Sequence, residues 1–357
     1  MKILVLQDYL RSGGTERQSC LLANAFAGRG HTTTLLSFRP GGALDRLPSD
    51  DVVRLSLQRR DWGWDWFAPG LIRCSRSAVP DIILCMGRMA NGYAGWLAKA
   101  VPSAAVISTV RTGKALPWPY RRSLRRTRHI VANSEETRRS LTNHYRVPAD
   151  RVSVIHNALV FPPQSTLTNR DSLRRLQGAG PDTVVLLWVG MFRPEKNHRE
   201  CLDMVRRLPA SPPWQLWLAG DGPTRRDLEQ AVAAYGLQSR IKFFGFTPDP
   251  SPLYDAADLA VLTSKSESLS NFLIEAHAHG LPSVAYAAAG VPECGGMAVP
   301  IGDQRAFLAG LEKRMADPGF RRQEGDRLRI FAREAFSPER QTLAYLALFQ
   351  RLLAPPS

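Results

Sequence analysis

The stretch "LAVLTSKSESLSNFLIEAHAHGLPSVAYA" (residues 259–287) reads as one strand, loop, helix, strand unit. Two short apolar runs, "LAVLTS" (259–264) and "PSVAYA" (282–287), bracket a polar loop and a helical segment. The helix starts near Ser270 and Asn271 and stops at Gly280, ahead of Pro282. Glu267 falls in the loop, and Glu275 lies one to two turns inside the helix, among Leu273, Ile274 and Ala276. A carboxylate in such apolar company is costly unless a donor or ligand satisfies it, so Glu275 reads as functional.

The same alternation runs outward in both directions. "KILVL" (2–6), "HTTTLLSF" (31–38), "DIILCM" (81–86), "AAVIST" (104–109), "HIVANS" (129–134) and "VSVIHNA" (152–158) read as strands, as do "TVVLLWVG" (183–190), "WQLWLAG" (214–220) and "IKFFGF" (241–246). Helical stretches lie between them, such as "ERQSCLLANAFAGRG" (16–30) and those around 91–100 and 135–145. Near-continuous apolar strands alternating with helices imply parallel sheets covered on both faces. A chain of 357 residues exceeds one ordinary core. The expected fold class is therefore α/β, with two tandem doubly wound parallel-sheet domains. The Pro/Ser/Thr-rich "LVFPPQSTLTN" (159–169) is read as the linker region, giving a basic first domain over 1–165 and a second over 166–336. The amphipathic "SPERQTLAYLALFQRLL" (337–353) opens a C-terminal segment, 337–357, expected to pack back on the first domain.

Apolar content of 44% and charged content of 22% exclude large-scale disorder. The five cysteines are scattered and form no C-x-x-C pair, which argues against a disulfide framework or zinc site and for a reducing, cytoplasmic compartment. The first apolar run is too short for a signal peptide, and no run is long enough to span a membrane. The net charge of +15 is uneven: residues 1–160 carry 24 Lys/Arg against 11 Asp/Glu, and residues 161–357 carry 23 against 21. A basic first half suits an anionic partner such as an acidic membrane leaflet or a phosphorylated lipid, and is equally the surface of a solvated Arg-rich domain.

In open α/β sheets, ligands sit outside the carboxyl ends of the strands. Four loops at such ends carry chemistry. In "RSGGTERQ" (11–18), Gly13 and Gly14 allow close backbone approach, and the amides of the following helix can face an anion. The pattern is not G-x-G-x-x-G, which disfavours a nicotinamide cofactor. "VGMFRPEKNH" (189–198) offers Gly190, then Arg193 and Lys196 as two cations fit for a diphosphate. "LAGDGPTRRDLE" (218–229) supplies Gly220, and Gly245 to Thr247, with Phe246 between them, can place backbone groups against a nucleobase. Each taken singly is also ordinary turn chemistry.

Together "GGTER", "VGMFRPEKNH", "LAGDGP", "FFGF", "LYDAADLAVLTSKSESLSNFLIEA" and "GLPSVAYAAAGVPE" resemble the retaining glycosyltransferases of family 4, in that family's order over most of the chain. The spacing of Glu267 and Glu275 matches its best-known motif. The resemblance implies the GT-B fold, two Rossmann-like domains facing across a cleft, and a nucleoside-diphosphate sugar as donor substrate with no cofactor and no metal. It implies that Arg193 and Lys196 hold the diphosphate, that Glu275 holds the ribose, and that Glu267 lies by the transferred sugar. Amides of Leu269, Ser270 and Asn271 would face sugar and phosphates, Gly14 would close over the diphosphate, and Gly190, Gly220 and Phe246 would line the donor. Arg193, Lys196 and Glu267 are the catalytic candidates it yields. It further implies sugar transfer with retention to a hydroxyl of a cell-surface glycan or lipid-linked acceptor. A sugar-nucleotide epimerase or phosphorylase on the same fold, and a non-catalytic nucleotide-binding or membrane scaffold, are the alternatives. The chain departs from the family at "SLSN" (268–271), where many members are Gly-rich, and at "ISTVRTGK" (107–114), which offers Arg111 where many carry a histidine.

"KALPWPYRRSLRRTRH" (114–129) sets Trp118 and Tyr120 among Arg121, Arg122, Arg125, Arg126 and Arg128, and "RRDWGWDWF" (59–67) adds three tryptophans. Arg111, Trp118, Arg121 and Arg125 are the candidates for the acceptor or sugar side. Aromatics with arginines suit a lipid-linked acceptor or a peripheral contact with the inner leaflet, or else a basic helix packed by its tryptophans. No nucleic-acid recognition motif accompanies the charge. His129 and His156 read as structural, and His277 and His279 are given no role.

Overall fold

The computed structural model describes residues 1–11, 13–112, 115–159 and 167–354, with the side chains of 167–169 left aside. The chain divides into two units, Met1–Ala158 with Ser337–Ser357, and Leu159–Phe336. The first unit thus closes at Ala158, ahead of the boundary at 165 read from sequence, and most of the linker stretch 159–169 lies outside the described residues.

In the first unit seven strands form one sheet: β1 (Lys2–Gln7), β2 (Thr32–Ser37), β3 (Val53–Ser56), β4 (Ile82–Cys85), β5 (Ala105–Val110), β6 (His129–Ala132) and β7 (Val152–Val154). Helices α1 (Gly14–Ala27), α2 (Leu71–Ser77), α3 (Arg88–Ala100), α4 (Trp118–Leu124) and α5 (Glu135–Asn143) alternate with them. The strand order is β3-β2-β1-β4-β5-β6-β7, parallel throughout. The second unit holds β8 (Val184–Val189), β9 (Trp214–Ala219), β10 (Ile241–Gly245), β11 (Leu259–Leu262), β12 (Ser283–Tyr286) and β13 (Met297–Val299) in the order β10-β9-β8-β11-β12-β13, again all parallel. Its helices are α6 (Leu167–Leu176), α7 (His198–Val205), α8 (Arg225–Ala234), α9 (Ser251–Ala256), α10 (Asn271–Ala278), α11 (Gln304–Ala316) and α12 (Pro318–Ala335). Two doubly wound parallel sheets are the architecture expected from the alternating apolar runs. β3 and β13 escape a pattern-based reading, since β3 is four exposed residues and β13 only three residues long.

The last helix, α13 (Pro338–Leu353), belongs to the first unit. Ser337 caps it by accepting from the Arg340 amide, Pro338 opens it, and its apolar face lays Tyr345 and Phe349 on Phe26 of α1, with ring centroids 6.2 and 5.5 Å away.

Asp258, just ahead of β11, ties the second sheet to α6. Its Oδ2 accepts from the Val185 amide at 2.8 Å and from Arg174 at 3.0 Å, and its Oδ1 accepts from Arg170 at 2.7 Å. Arg174 is buried and its terminal nitrogens also donate to the carbonyls of Ala256, Gly180 and Thr183. Removing one partner of such a buried pair strands the other charge. Asp258→Ala is expected to destabilise the second unit by about 3–5 kcal/mol in urea denaturation, and a loss near zero would show the network to be ornamental.

Candidate functional site

In each sheet the strand order reverses once, between β1 and β4 and between β8 and β11, and the loops leaving those strands diverge there to open a crevice. In the second unit the loop after β8 continues into a short 3₁₀ turn, Pro194–Lys196, which the Lys265 amide joins to the loop after β11 by donating to the Glu195 carbonyl at 2.9 Å. Thr263 Oγ1 donates to the Asn197 carbonyl at 2.8 Å, a second stitch between the same loops. These contacts bring Lys196 Nζ to 2.6 Å from Glu267 Oε1, in an ion pair whose carboxylate is 9% exposed.

Helix α10 begins directly after. Ser270 caps it, accepting from the Leu273 amide at 3.4 Å, so its first-turn amides point toward the loop that holds Glu267. Glu275 projects from the second turn, and the buried Tyr254 of α9 donates its phenol to Glu275 Oε2 at 2.6 Å. Burial, and then the Glu275 charge, push the Tyr254 phenol well above its usual value, so it stays a donor. Gly190, Lys196, Tyr254, Glu267, Asn271 and Glu275 meet around one cavity of about 280 Å³, which Leu269 and Ser270 also line. Tyr254 is the member missed in the sequence, where a tyrosine in "SPLYDAA" looks like core.

The glycines of the neighbouring loops are required by close approach. Gly220 (φ +142°) and Gly222 (φ +156°) adopt backbone that favours glycine, and a Cβ on them would overlap the carbonyl oxygens of Gly190 and Phe192. Gly290, in "AAAGVPE", lies against the Ser268 carbonyl and Leu269, so a side chain there would push the Glu267 loop out of place. Phe246 is 67% exposed beyond the end of β10 and does not line the cavity.

Arg193 is not brought to the cavity that holds Lys196. In a 3₁₀ helix residues three apart eclipse, but Arg193 caps the turn in extended backbone (φ −122°, ψ 155°), which turns its side chain away. It is exposed and lines a separate cavity of about 590 Å³ with Asn197, His198, Thr224 and Asp227. His198 there is buried, stacks on Trp188 at 4.0 Å, and is pushed down to about 3 by burial and by Lys196. His277 is held by the Cys294 carbonyl and Ser283, and His129 by Ser153; burial pushes both down to about 4.

In the first unit the crevice between β1 and β4 is a polar cavity of about 280 Å³, lined among others by Asp8, Glu16, Arg88 and Arg111. Gly14 is the first residue of α1 beside it. Asp8 was not singled out from sequence. Its carboxylate accepts from the Met89 and Ala90 amides at 3.0 and 2.8 Å and so caps α3, whose own cap residue, Gly87, has no side chain. Asp8 and Gln7 fill the place a Gly87 Cβ would take. Arg111 donates to Asn157 and, at 2.8 Å, to the Tyr345 hydroxyl of α13. On α4, Trp118 is 68% exposed, Arg121 donates to the Leu116 carbonyl at 2.7 Å, and Arg125 is the exposed C-cap. Among the described residues no cluster of three or more His, Cys, Asp or Glu side chains fits a metal ion, and no helix is long and apolar enough to cross a membrane.

Residues 12–159 match the family described as Glycosyltransferase Family 4, and residues 183–317 match Glycosyl transferases group 1. The chain belongs to glycosyltransferase family 4. This family 4 chain is 32% identical over 173 residues to the lipopolysaccharide core biosynthesis glycosyltransferase LpsE of Rhizobium meliloti, covering 47% of this chain and 50% of that one. It is 31% identical over 238 residues to a D-inositol 3-phosphate glycosyltransferase of Geodermatophilus obscurus, covering 56% and 51%. It therefore spans about half the length of the curated relatives it matches. Among solved structures it is similar to Anabaena HepE in complex with UDP, with a TM-score of 0.82 at 20% identity over 98% of this chain and 100% of that one. It is also similar to the lipopolysaccharide glycosyltransferase WaaG, with a TM-score of 0.73 at 17% identity over 96% and 98%. These likenesses establish the GT-B fold.

Burial raises the Asp8 carboxyl to about 6 from an ordinary 3.8, against the α3 amides that lower it. A raised carboxyl holds its proton more tightly in the folded state, so this contribution to stability is present below pH 4 and is lost as pH rises through 6. The stability difference between the native chain and Asp8→Asn should shift against the native chain by on the order of 3 kcal/mol from pH 4 to pH 7. A difference independent of pH in urea melts would mean that Asp8 is ionised throughout.

Proposed function

We propose that this chain transfers a glycosyl group, with retention, from a uridine diphosphate sugar to a hydroxyl of a glycan or lipid-linked acceptor. The observation that carries the reading is the convergence of Lys196, Glu267 and Tyr254-anchored Glu275 on one cavity at the switch point of the second sheet. The UDP complex of HepE and the lipopolysaccharide core role of LpsE support the donor base and the acceptor class.

In this reading Glu275 accepts hydrogens from the two ribose hydroxyls while Tyr254 fixes its carboxylate plane; a carboxylate has two oxygens and accepts several hydrogens at once. Lys196 has three N–H donors, and Glu267 aims the ammonium at the diphosphate while leaving hydrogens to donate. The amides opening α10 add partial positive charge at the same place. Arg193, exposed and at the start of the same turn, completes the clamp by a side-chain rotation. As the bond from the anomeric carbon to the donor phosphate breaks, its electron pair goes to the departing diphosphate, where these fixed donors stabilise it without a metal. The acceptor hydroxyl attacks from the same face, forming the new bond to the anomeric carbon, and its proton passes to the departing phosphate oxygen. Glu267 lies beside the sugar, and the polar cavity of the first unit takes the acceptor. The five unpaired cysteines agree with a reducing compartment.

A panel of nucleotide sugars tests this by thermal shift and product analysis. One uridine diphosphate sugar should stabilise the protein, Glu275→Ala should abolish that shift, and Tyr254→Phe should weaken binding about tenfold. Lys196→Ala should lower kcat by about 10²–10³, EDTA should leave the rate unchanged, and the product should keep the donor's anomeric configuration by NMR. Unchanged donor binding in Glu275→Ala would end the assignment of this cavity.

A further inference from the structure

The first unit exposes six large aromatic side chains drawn from three separate segments: Trp62, Trp64, Trp66 and Phe67 from one loop, Trp96 from α3 and Trp118 from α4, each between 38% and 68% exposed. A soluble surface scatters such residues singly; a contiguous set is an interaction site. These are contiguous. Trp62, Trp64 and Phe67 pack on one another with centroids 5.5–6.4 Å apart, and Trp66, next in the chain, lies on α3 where Gly92 leaves room for its ring. Gly95 packs α3 against the backbone of Ser123 on α4, whose hydroxyl donates to the Gly92 carbonyl at 2.7 Å. The two helices meet closely at their base and leave between them a cavity of about 490 Å³ walled by Trp66, Tyr93, Trp96 and Trp118.

Arg122 and Arg126 line the same cavity, and Arg122 lies 5.5 Å from the Trp118 ring centroid. No acidic residue lines it, and among the described residues neither arginine pairs with a carboxylate. Arg121, Arg125 and Arg128 are exposed nearby on the same short segment. An occupant of this face must therefore be apolar within and anionic at its edge, over a surface wider than one small molecule.

We propose that this face docks on an anionic lipid leaflet, the indole rings seated among the headgroups, a lipid chain entering the cavity, and Arg122 and Arg126 on lipid phosphates. Tryptophan suits that depth because its body is apolar and its N–H stays near water, and each nearby arginine adds attraction to an anionic surface. The aromatic cavity also adjoins the polar cavity assigned above to the acceptor. Chain neighbours Asp65 and Trp66, and Tyr120 and Pro119, line one and the other. Docking thus presents lipid-borne hydroxyls to the crevice between β1 and β4. The acceptor meaning of the contact rests on the transfer reading, whereas its test reads binding alone.

Flotation of the full chain with phosphatidylcholine vesicles, with and without phosphatidylglycerol, tests the surface. Binding should rise with phosphatidylglycerol content, and Trp96→Ala/Trp118→Ala and Arg122→Glu/Arg126→Glu should each reduce it at least about tenfold. Brominated lipid should quench the tryptophan fluorescence of the native chain, and less in Trp96→Phe/Trp118→Phe. The thermal shift given by the uridine diphosphate sugar should be the same in these variants, which shows them folded and separates failure here from failure of the transfer reading. Equal flotation of native and tryptophan variants would overturn the proposal. So would self-association through this face, seen as a dimer in sedimentation that the tryptophan variants dissolve.

Discussion

Lys196 and Glu267 are 71 residues apart in the chain and meet because β8 and β11 are hydrogen-bonded neighbours at the centre of the second sheet. That adjacency sets the geometry of the site. Parallel register places both strand ends at one level, the Glu195 and Asn197 carbonyls accept donors from the opposite loop, and the cation and carboxylate are left facing each other in partial burial. A pair held this way need not add to stability, because desolvating two charges offsets much of their attraction. Its effect is on orientation: each charge is fixed by the other, and in the transfer reading proposed above this spares reorganisation as new charge develops beside them.

Gly220, Gly222 and Gly290 serve the same end by omission. The first two let the loop after β9 lie against the backbone of the loop after β8, and the third lets the segment after β12 lie against Ser268 and Leu269. The loops after β8 and β9, and those after β11 and β12, thus meet in pairs at backbone contact distance, and any Cβ at these places would displace a carbonyl rather than a yielding side chain. The rigidity of the site therefore resides in the main chain, which suits a reaction carried by preorganised dipoles and charges.

Most of the fold was legible because the central strands are buried on both faces and read as unbroken apolar runs; β4 and β11 have no exposed residue. Edge strands lack that signature, and β3, exposed at every position, is only four residues in which Val53 and Leu55 alternate with Arg54 and Ser56 instead of forming an unbroken run. In the site, Glu275 was legible because a carboxylate in an apolar helix demands an account, and Lys196 and Glu267 because they fall in loops at strand ends. Tyr254 was not, since nothing local distinguishes a phenol that meets a carboxylate from one that fills a core. Arg193 is as legible as Lys196 as a cation at a strand end, but sequence does not show that its extended backbone at the start of the 3₁₀ turn sets it on the neighbouring cavity. Asp8 acquires its role only through Gly87 and the amides of α3, 81 and 82 residues away.

The exposed rings of the first unit raise the opposite question, why apolar surface stays outside. A loop with three tryptophans and a phenylalanine should collapse onto any available core. It is held instead by polar contacts at its base. Arg39 binds Asp61 through two nitrogens at 2.7 and 2.8 Å and reaches Asp65 at 2.5 Å, Arg11 shares Asp65, and the buried Gln58 donates to the carbonyls of Trp64 and Phe67. The Arg39 hydrogen bond holds the Asp61 carboxyl down to about 2, so this clamp keeps its charge through the ordinary pH range. A backbone fixed by a guanidinium and a buried amide gives the rings no route inward. Their exposure is thus a property of the folded state with its own stabilising contacts, and the energy of covering them is left for whatever meets this face.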